Sequence, residues 1–318
     1  MESIEFIEEI HSLIATQRKA QPKLVPIIRW ATATGKSSLA ITLAEHFPIE
    51  IISADSRQIY RGMDIGTDKV DQKIRCRIPH HMIDIVAPDH IYTAGERKQD
   101  VLKLIPEIHA RGNIPVIVGW TGLYIDMLYK NYAMPDIPSQ RERREEMQAH
   151  EAQSPGRLHA QLVIKDPAEA HKHHPHSLRY ILRALEIITF TGKTKTELTY
   201  EQPVDYPLCM IGLWREKEDT NHRINLRIKQ MLEQGLIEEV QRLLDAGYTL
   251  DHQSMQGIGY KEIVLHLQGT YSLEKAIEFL KRNSHRYAKR QRSRCRRYII
   301  DSKTTPKRDV SYHVFTLA

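Results

Sequence analysis

The chain has 318 residues, 41% of them hydrophobic, and a formal net charge of +6. That length holds one large or two ordinary domains, and the composition is that of a globular protein, not a disordered or collagenous one. No apolar run reaches the roughly 18 residues of a membrane span, and Glu2, Glu5, Glu8 and Glu9 make the start too acidic for a signal peptide, so the expectation is a cytoplasmic protein without membrane contact.

Ile7, Ile10 and Ile14 share one helical face, which predicts a short amphipathic helix ahead of the first strand. Leu24, Val25, Ile27 and Ile28 read as a buried strand. The following run, Trp30-Ala31-Thr32-Ala33-Thr34-Gly35-Lys36-Ser37, ends in the Gly-Lys-Ser of a phosphate-binding loop, although the pattern G-x-x-x-x-G-K-[ST] asks for glycine where Trp30 stands. Such a loop holds phosphate oxygens with backbone N–H groups, a lysine and a helix N-terminus, and its Ser hydroxyl can ligate Mg2+. Leu39, Ala40, Leu43 and Ala44 supply the helix that must follow.

Ile49 to Ser53 is a second strand pattern, so Asp55 falls at a strand terminus near the loop. A carboxylate there can take a proton or help hold Mg2+, or it can cap a short helix. Val101, Ile105 and Ile108 mark one face of a helix, and Ile114 to Gly119 is another buried strand. Gly119-Trp120-Thr121-Gly122 then brings backbone amides and the Thr121 hydroxyl to a phosphate, or starts a helix. Strands and helices alternating at this spacing predict a parallel α/β sheet with ligand groups at the strand carboxyl ends.

From about Pro135 to Tyr200 the chain turns charge-rich and helical, which reads as an insertion. Its His171, His173, His174 and His176 lack an accompanying ligand set, and with Lys172 and Pro175 they suggest an exposed turn more than a metal site. The sheet pattern resumes at Pro207 to Leu213, followed by helices predicted over Met231 to Ala246 and from Ser272 to about Arg297, the latter with Leu273, Ile277 and Leu280 as its stripe. Lys281 to Arg297 holds nine Lys or Arg and no acid, with His285 and Tyr287 among them, a pattern that suits a nucleic acid partner. Cys76, Cys209 and Cys295 are odd in number and widely spaced, which argues against a disulfide framework or a zinc site.

Taken together, Ala31 to Ser37, the run from Ile52 to Thr67, Pro79 to Asp84, Thr121 to Tyr124, Arg183 to Glu186, Gly257 to Lys261 and Ala288 to Gln291 resemble the tRNA dimethylallyltransferase family, also called tRNA isopentenyltransferases. The resemblance implies a P-loop NTPase-like parallel sheet flanked by helices, with a helical insertion domain and a C-terminal helical segment. The expected divisions are an N-terminal extension over 1–22, a core over 23–134, an insertion over 135–201 that clamps the tRNA anticodon stem-loop, and core completion with basic helices over 202–318. The implied reaction moves a dimethylallyl group from dimethylallyl diphosphate to N6 of the adenosine 3′ of the anticodon, with Mg2+ as cofactor. Asp55 would be the base, with Thr32 and Thr121 at the reaction centre. Thr32, Ala33, Thr34, Gly35, Lys36, Ser37 and Arg223 would hold the diphosphate, and Ser37 the metal. Contacts with tRNA would come from Asp55, Ser56, Arg57, Gln58, Arg179, Arg183, Gln256, Gly257, Ile258, Gly259, Tyr260 and Lys261, in a monomer.

Three positions depart from the family pattern: Trp30 and Trp120 replace glycines, and Arg294 stands where a tryptophan is usual. Indoles there are expected to crowd the diphosphate and, where φ is positive, to add strain of about 1–3 kcal/mol. If genuine, they would point to a tRNA-binding homologue with impaired catalysis; a small-molecule kinase is the other alternative. The pattern also matches a gene in which UGA encodes glycine and some CGN codons encode tryptophan, with Arg29 a possible further case.

Overall fold

The computed structural model describes residues 4–129, 131, 141–198, 204–304 and 310–317. In chain order the elements are α1 (Ile4–Ala20), β1 (Val25–Arg29), α2 (Lys36–Leu43), β2 (Ile49–Ser53), α3 (Gln72–Arg77), β3 (His80–His81), α4 (Ala94–Ala110), β4 (Ile114–Gly119) and α5 (Gly122–Tyr129). There follow α6 (Arg141–Gln153), α7 (Arg157–Lys165), α8 (Pro167–Ala170), α9 (Leu178–Thr191), α10 (Lys195–Leu198), β5 (Leu208–Trp214), α11 (Lys217–Glu233), α12 (Leu236–Asp245), α13 (Tyr260–Leu267), α14 (Leu273–Thr304) and β6 (Val310–Thr316). The start of the predicted insertion at Pro135 and the side chain of Cys295 lie outside the described residues.

The sheet is parallel throughout, in the order β3-β2-β4-β1-β5-β6. Every residue of β1, β2 and β4 is buried, which is why these strands are mainly apolar without alternation, Arg29, Glu50 and Ser53 being their buried polar members. Register levels their carboxyl ends, pairing Arg29 with Gly119 and Ser53 with Val118. The loops after residues 29, 53 and 119 therefore leave the sheet side by side.

α1 is no loose extension. Ile10 and Ile14 are fully buried in the main core, and Phe6 meets Phe315 of β6 edge-on at 5.6 Å. Burial of each such isoleucine is worth about 1.5–3 kcal/mol. Two sequence expectations change. Met231 belongs to the last turn of α11, and Gly235 with φ 96° separates it from α12, so the predicted helix from Met231 to Ala246 is two. The C-terminal segment, expected to be helical, ends in strand β6.

The chain forms two compact units, residues 1–125 with 205–318, and residues 126–204. The second has a small core of Leu158, Leu162, Ala170, Ile181, Leu182, Ala184 and Leu185. Of its buried carboxylates, Glu151 and Asp166 accept from backbone N–H groups, and two are ion-paired, Glu186 with Arg144 and Arg183, and Glu169 with Lys172, His173 and Lys195. Burial raises the pKa of Glu169, but those hydrogen bonds outweigh it and bring the value to about 2. His173 also stacks on Tyr180 with centroids 4.9 Å apart, so this member of the histidine cluster is a packing residue.

Candidate active site at the strand ends

The phosphate loop leaves β1 in a tight wrap that takes positive φ at Trp30 (144°), Ala33 (62°) and Gly35 (92°). Gly35 is the N-cap of α2, so Lys36 and Ser37 begin the helix and the unpaired N–H groups of its first turn face the loop. Lys36 Nζ donates to Ala31 O at 2.6 Å, and Thr34 Oγ1 donates to the same oxygen at 3.0 Å. Ser37 is exposed at the helix start.

The expected strain is present at Trp30 and absent at Trp120, which is not among the positive-φ residues. Nor does Trp30 fill the cradle. Its indole belongs to the main core, edge-on to Trp214 at 6.2 Å, and lies so close over Gly212 of β5 that a Cβ there would sit 2.3 Å from the ring. Trp120 is also buried, with the Arg29 guanidinium 5.6 Å from its ring centroid. Arg294 packs against Gly122 at the start of α5.

Asp55 stands two residues beyond β2. Its Oδ1 accepts from the Arg57 N–H at 2.8 Å, so its capping role is a local turn and not a helix. Ala54 N donates to Val118 O at 2.6 Å and Thr121 N to Ala54 O at 3.0 Å. This close crossing requires Gly119, because a Cβ there would lie 2.6 Å from the Ala54 carbonyl carbon, and φ at Gly119 is 151°. Thr121 Oγ1 accepts from Ser56 N at 3.1 Å, which fixes the hydroxyl beside Asp55. Below them Arg97 is 2% exposed, its guanidinium 4.4 Å from the Tyr124 ring centroid, and neither Nη makes a hydrogen bond. Burial lowers its pKa, opposed by Tyr124, Tyr92, Asp55 and Asp100.

Helix α11 brings two arginines to the loop. Arg223 Nε donates to Ala33 O at 3.1 Å. Arg227, one turn on, was missed: its Nη1 donates to Thr32 Oγ1 at 3.3 Å and its Nη2 pairs with Asp68 at 3.1 Å. The i, i+4 spacing from Arg223 was the available signal. Gln291 of α14 was also overlooked as a site residue. Its Oε1 accepts from the Thr32 N–H at 2.7 Å, joining the basic helix to the loop.

The residues expected to meet tRNA divide by burial. Arg57 donates to Gln253 O at 2.6 Å and so joins the segment after Asp55 to the 253–261 stretch. Gln256 and Lys261 are exposed and Ile258 half-buried, whereas Gly257 and Gly259 are buried. Tyr260 is a core residue, 1% exposed, and its hydroxyl donates to Glu239 at 2.6 Å, so its side chain is withdrawn from any surface contact. Gln58 is engaged internally, accepting from Ser53 Oγ and donating to the carbonyls of Thr67 and Asp68. Arg179 is exposed and Arg183 pairs with Glu186 in the second unit. Glu239, unremarked in sequence, accepts from the N–H groups of Asp64, Ile65 and Gly66 at 2.9, 2.8 and 3.1 Å and so holds the Met63 to Thr67 turn.

No cluster of three or more His, Cys, Asp or Glu suited to a metal occurs among the described residues. The Ser37 hydroxyl, exposed at the start of α2, is the side-chain oxygen of the loop that would hold a divalent cation there. No helix among the described residues is long and apolar enough to cross a membrane.

The family model described as IPP transferase matches residues 58–298. The tRNA dimethylallyltransferase of Pelotomaculum thermopropionicum is 45% identical over 90% of this chain and 91% of its own length. That of Thermotoga neapolitana is 44% identical over 83% and 87%. The crystal structure of a Bacillus halodurans tRNA isopentenylpyrophosphate transferase superposes with a TM-score of 0.64 at 40% identity, covering 92% of this chain and 90% of that one. A eukaryotic dimethylallyltransferase described as acting on tRNA gives 0.73 at 28% identity, over 92% and 73%.

Proposed function

The chain belongs to the IPP transferase family, and from that premise we propose that it transfers a dimethylallyl group from dimethylallyl diphosphate to N6 of the adenosine 3′-adjacent to the anticodon of tRNA. The observation that carries this reading is the strand register that sets Asp55 and Thr121 beside the phosphate loop. In the reaction the donor C–O bond breaks, the N6–C bond forms, the amine proton leaves, and diphosphate departs.

Lys36, the α2 N-terminus, Arg223 and Arg227 are cations and dipoles aimed where charge grows on the leaving diphosphate. The planar forks of the arginines suit its oxygens. Mg2+, held by Ser37 and the diphosphate, would add charge neutralisation. Asp55 receives the proton of the amine, which is a weak nucleophile until it loses one. Thr32, Ala33, Thr34 and Gly35 line the diphosphate, and Thr121 orients the substrates. The extruded base enters beside Asp55, while Ser56, Arg57, Gln256, Lys261, Arg179, Arg183 and the basic face of α14 follow the anticodon stem-loop, the insertion acting as its clamp. An impaired homologue is disfavoured because the Trp30 indole is taken up by the core.

Asp55→Asn keeps the acceptor for the Arg57 N–H and removes the base. Its turnover should fall by about 100-fold or more, with tRNA affinity held within about threefold, in single-turnover and filter-binding measurements. Turnover within tenfold of wild type would refute the assignment.

A further inference from the structure

Asp68 has no role in the reading above, yet it reaches into the diphosphate site. Its Oδ2 pairs with Arg227 at 3.1 Å, the same guanidinium that donates to Thr32 Oγ1 of the loop. Desolvation raises its pKa, and the charges that act on it are Arg227, Asp55 and Lys36, two of them cations assigned to the diphosphate.

Its backbone is fixed. φ is 54°, the N–H donates to Ile65 O at 3.0 Å, and the carbonyl accepts from Gln58 at 3.2 Å, while Glu239 holds the preceding turn. The side chain, by contrast, is 57% exposed and can swing into water without moving the chain. A carboxylate anchored in this way is a stand-in anion for Arg227.

We propose that Asp68 competes with diphosphate for Arg227, so that it weakens the hold on diphosphate and speeds release of that product. The proposal rests on the reading of the loop as a diphosphate site. A donor diphosphate must displace the carboxylate to gain the guanidinium fork, and after the transfer Asp68 returns to Arg227 as the product leaves. The pair is partly exposed, which limits the effect to a modest factor.

Titration calorimetry of the full chain with inorganic pyrophosphate and Mg2+ tests this. Asn adopts left-handed backbone well, so Asp68→Asn should fold as wild type does. It should bind pyrophosphate about 3- to 10-fold more tightly, the gain shrinking as salt rises, with a lower KM for the prenyl donor and no rise in kcat. In an Arg227→Ala background the gain from Asp68→Asn should largely vanish. Equal or weaker binding by Asp68→Asn, as for a metal ligand or a support for Arg227, would overturn the proposal, and so would an undiminished gain without Arg227. Wild-type protein that fails to bind pyrophosphate would instead overturn the diphosphate reading itself.

Discussion

At Trp30 packing and backbone oppose each other. The indole fills core volume against Gly212 and Trp214, while the backbone at φ 144° occupies a region that favours glycine. Replacing Trp30 by Gly relieves strain of about 1–3 kcal/mol but empties a buried indole's volume, which costs about 3–5 kcal/mol. A cycle with Gly212 separates the two effects. Gly212→Ala should cost about 1–3 kcal/mol in denaturant unfolding through overpacking, and no more than about 0.5 kcal/mol when Trp30 is Gly. Equal costs in both backgrounds would show that the ring yields freely. At this scale Lys36, Ser37, Asp55 and Thr121 stand out in the sequence as candidates, because each sits in a local strand-to-loop pattern. Arg227 with Asp68, Glu239 with the 64–66 amides, and Gln291 with Thr32 were hidden, since their partners lie far along the chain.

Among the elements, the buried strands β1, β2, β4 and β5 and the helices with clear stripes were legible from periodicity. β3 spans only two residues, and β6 is an edge strand paired on one side with no fully buried residue, so neither gives a strong apolar signal. β6 is secured by its pairing with β5 and by α1: Ser311 donates to Gln17 Oε1 at 3.0 Å near the start of the strand, and Phe315 meets Phe6 near its end. Near the amino-terminal ends of the strands Glu50 knits β2 to its neighbours, accepting from Arg111 at 2.8 and 2.7 Å and from Asn113 at 2.7 Å, with His81 at 2.6 Å. The Arg111 hydrogen bonds lead in lowering its pKa from 4.5 to about 2 against the opposing effect of burial. A depressed carboxylate stabilises the fold fully above its unfolded pKa, and this is lost as pH falls through the folded value. Chemical denaturation should therefore show wild type more stable than Glu50→Gln by roughly 1–3 kcal/mol near neutrality, the gap closing between pH about 4.5 and 2. A gap independent of pH would contradict the assignment.

For the whole molecule, parallel topology and level strand ends turn three sequence-distant loops into one site, which alternation of strands and helices had foretold in outline. The second unit is built largely from paired charges around a small core, so its sequence announced helices but not their arrangement. The basic run on α14 and its Gln291 link to the phosphate loop join the proposed tRNA surface and the proposed diphosphate grip within one helix. The transfer itself can be seen when purified protein is incubated with unmodified tRNA, dimethylallyl diphosphate and Mg2+, and the digested tRNA is analysed by mass spectrometry. A single dimethylallyl group is expected on N6 of the adenosine next to the anticodon, formed without ATP consumption. Unmodified adenosine at that position, with tRNA and diphosphate both bound, would contradict the proposed function.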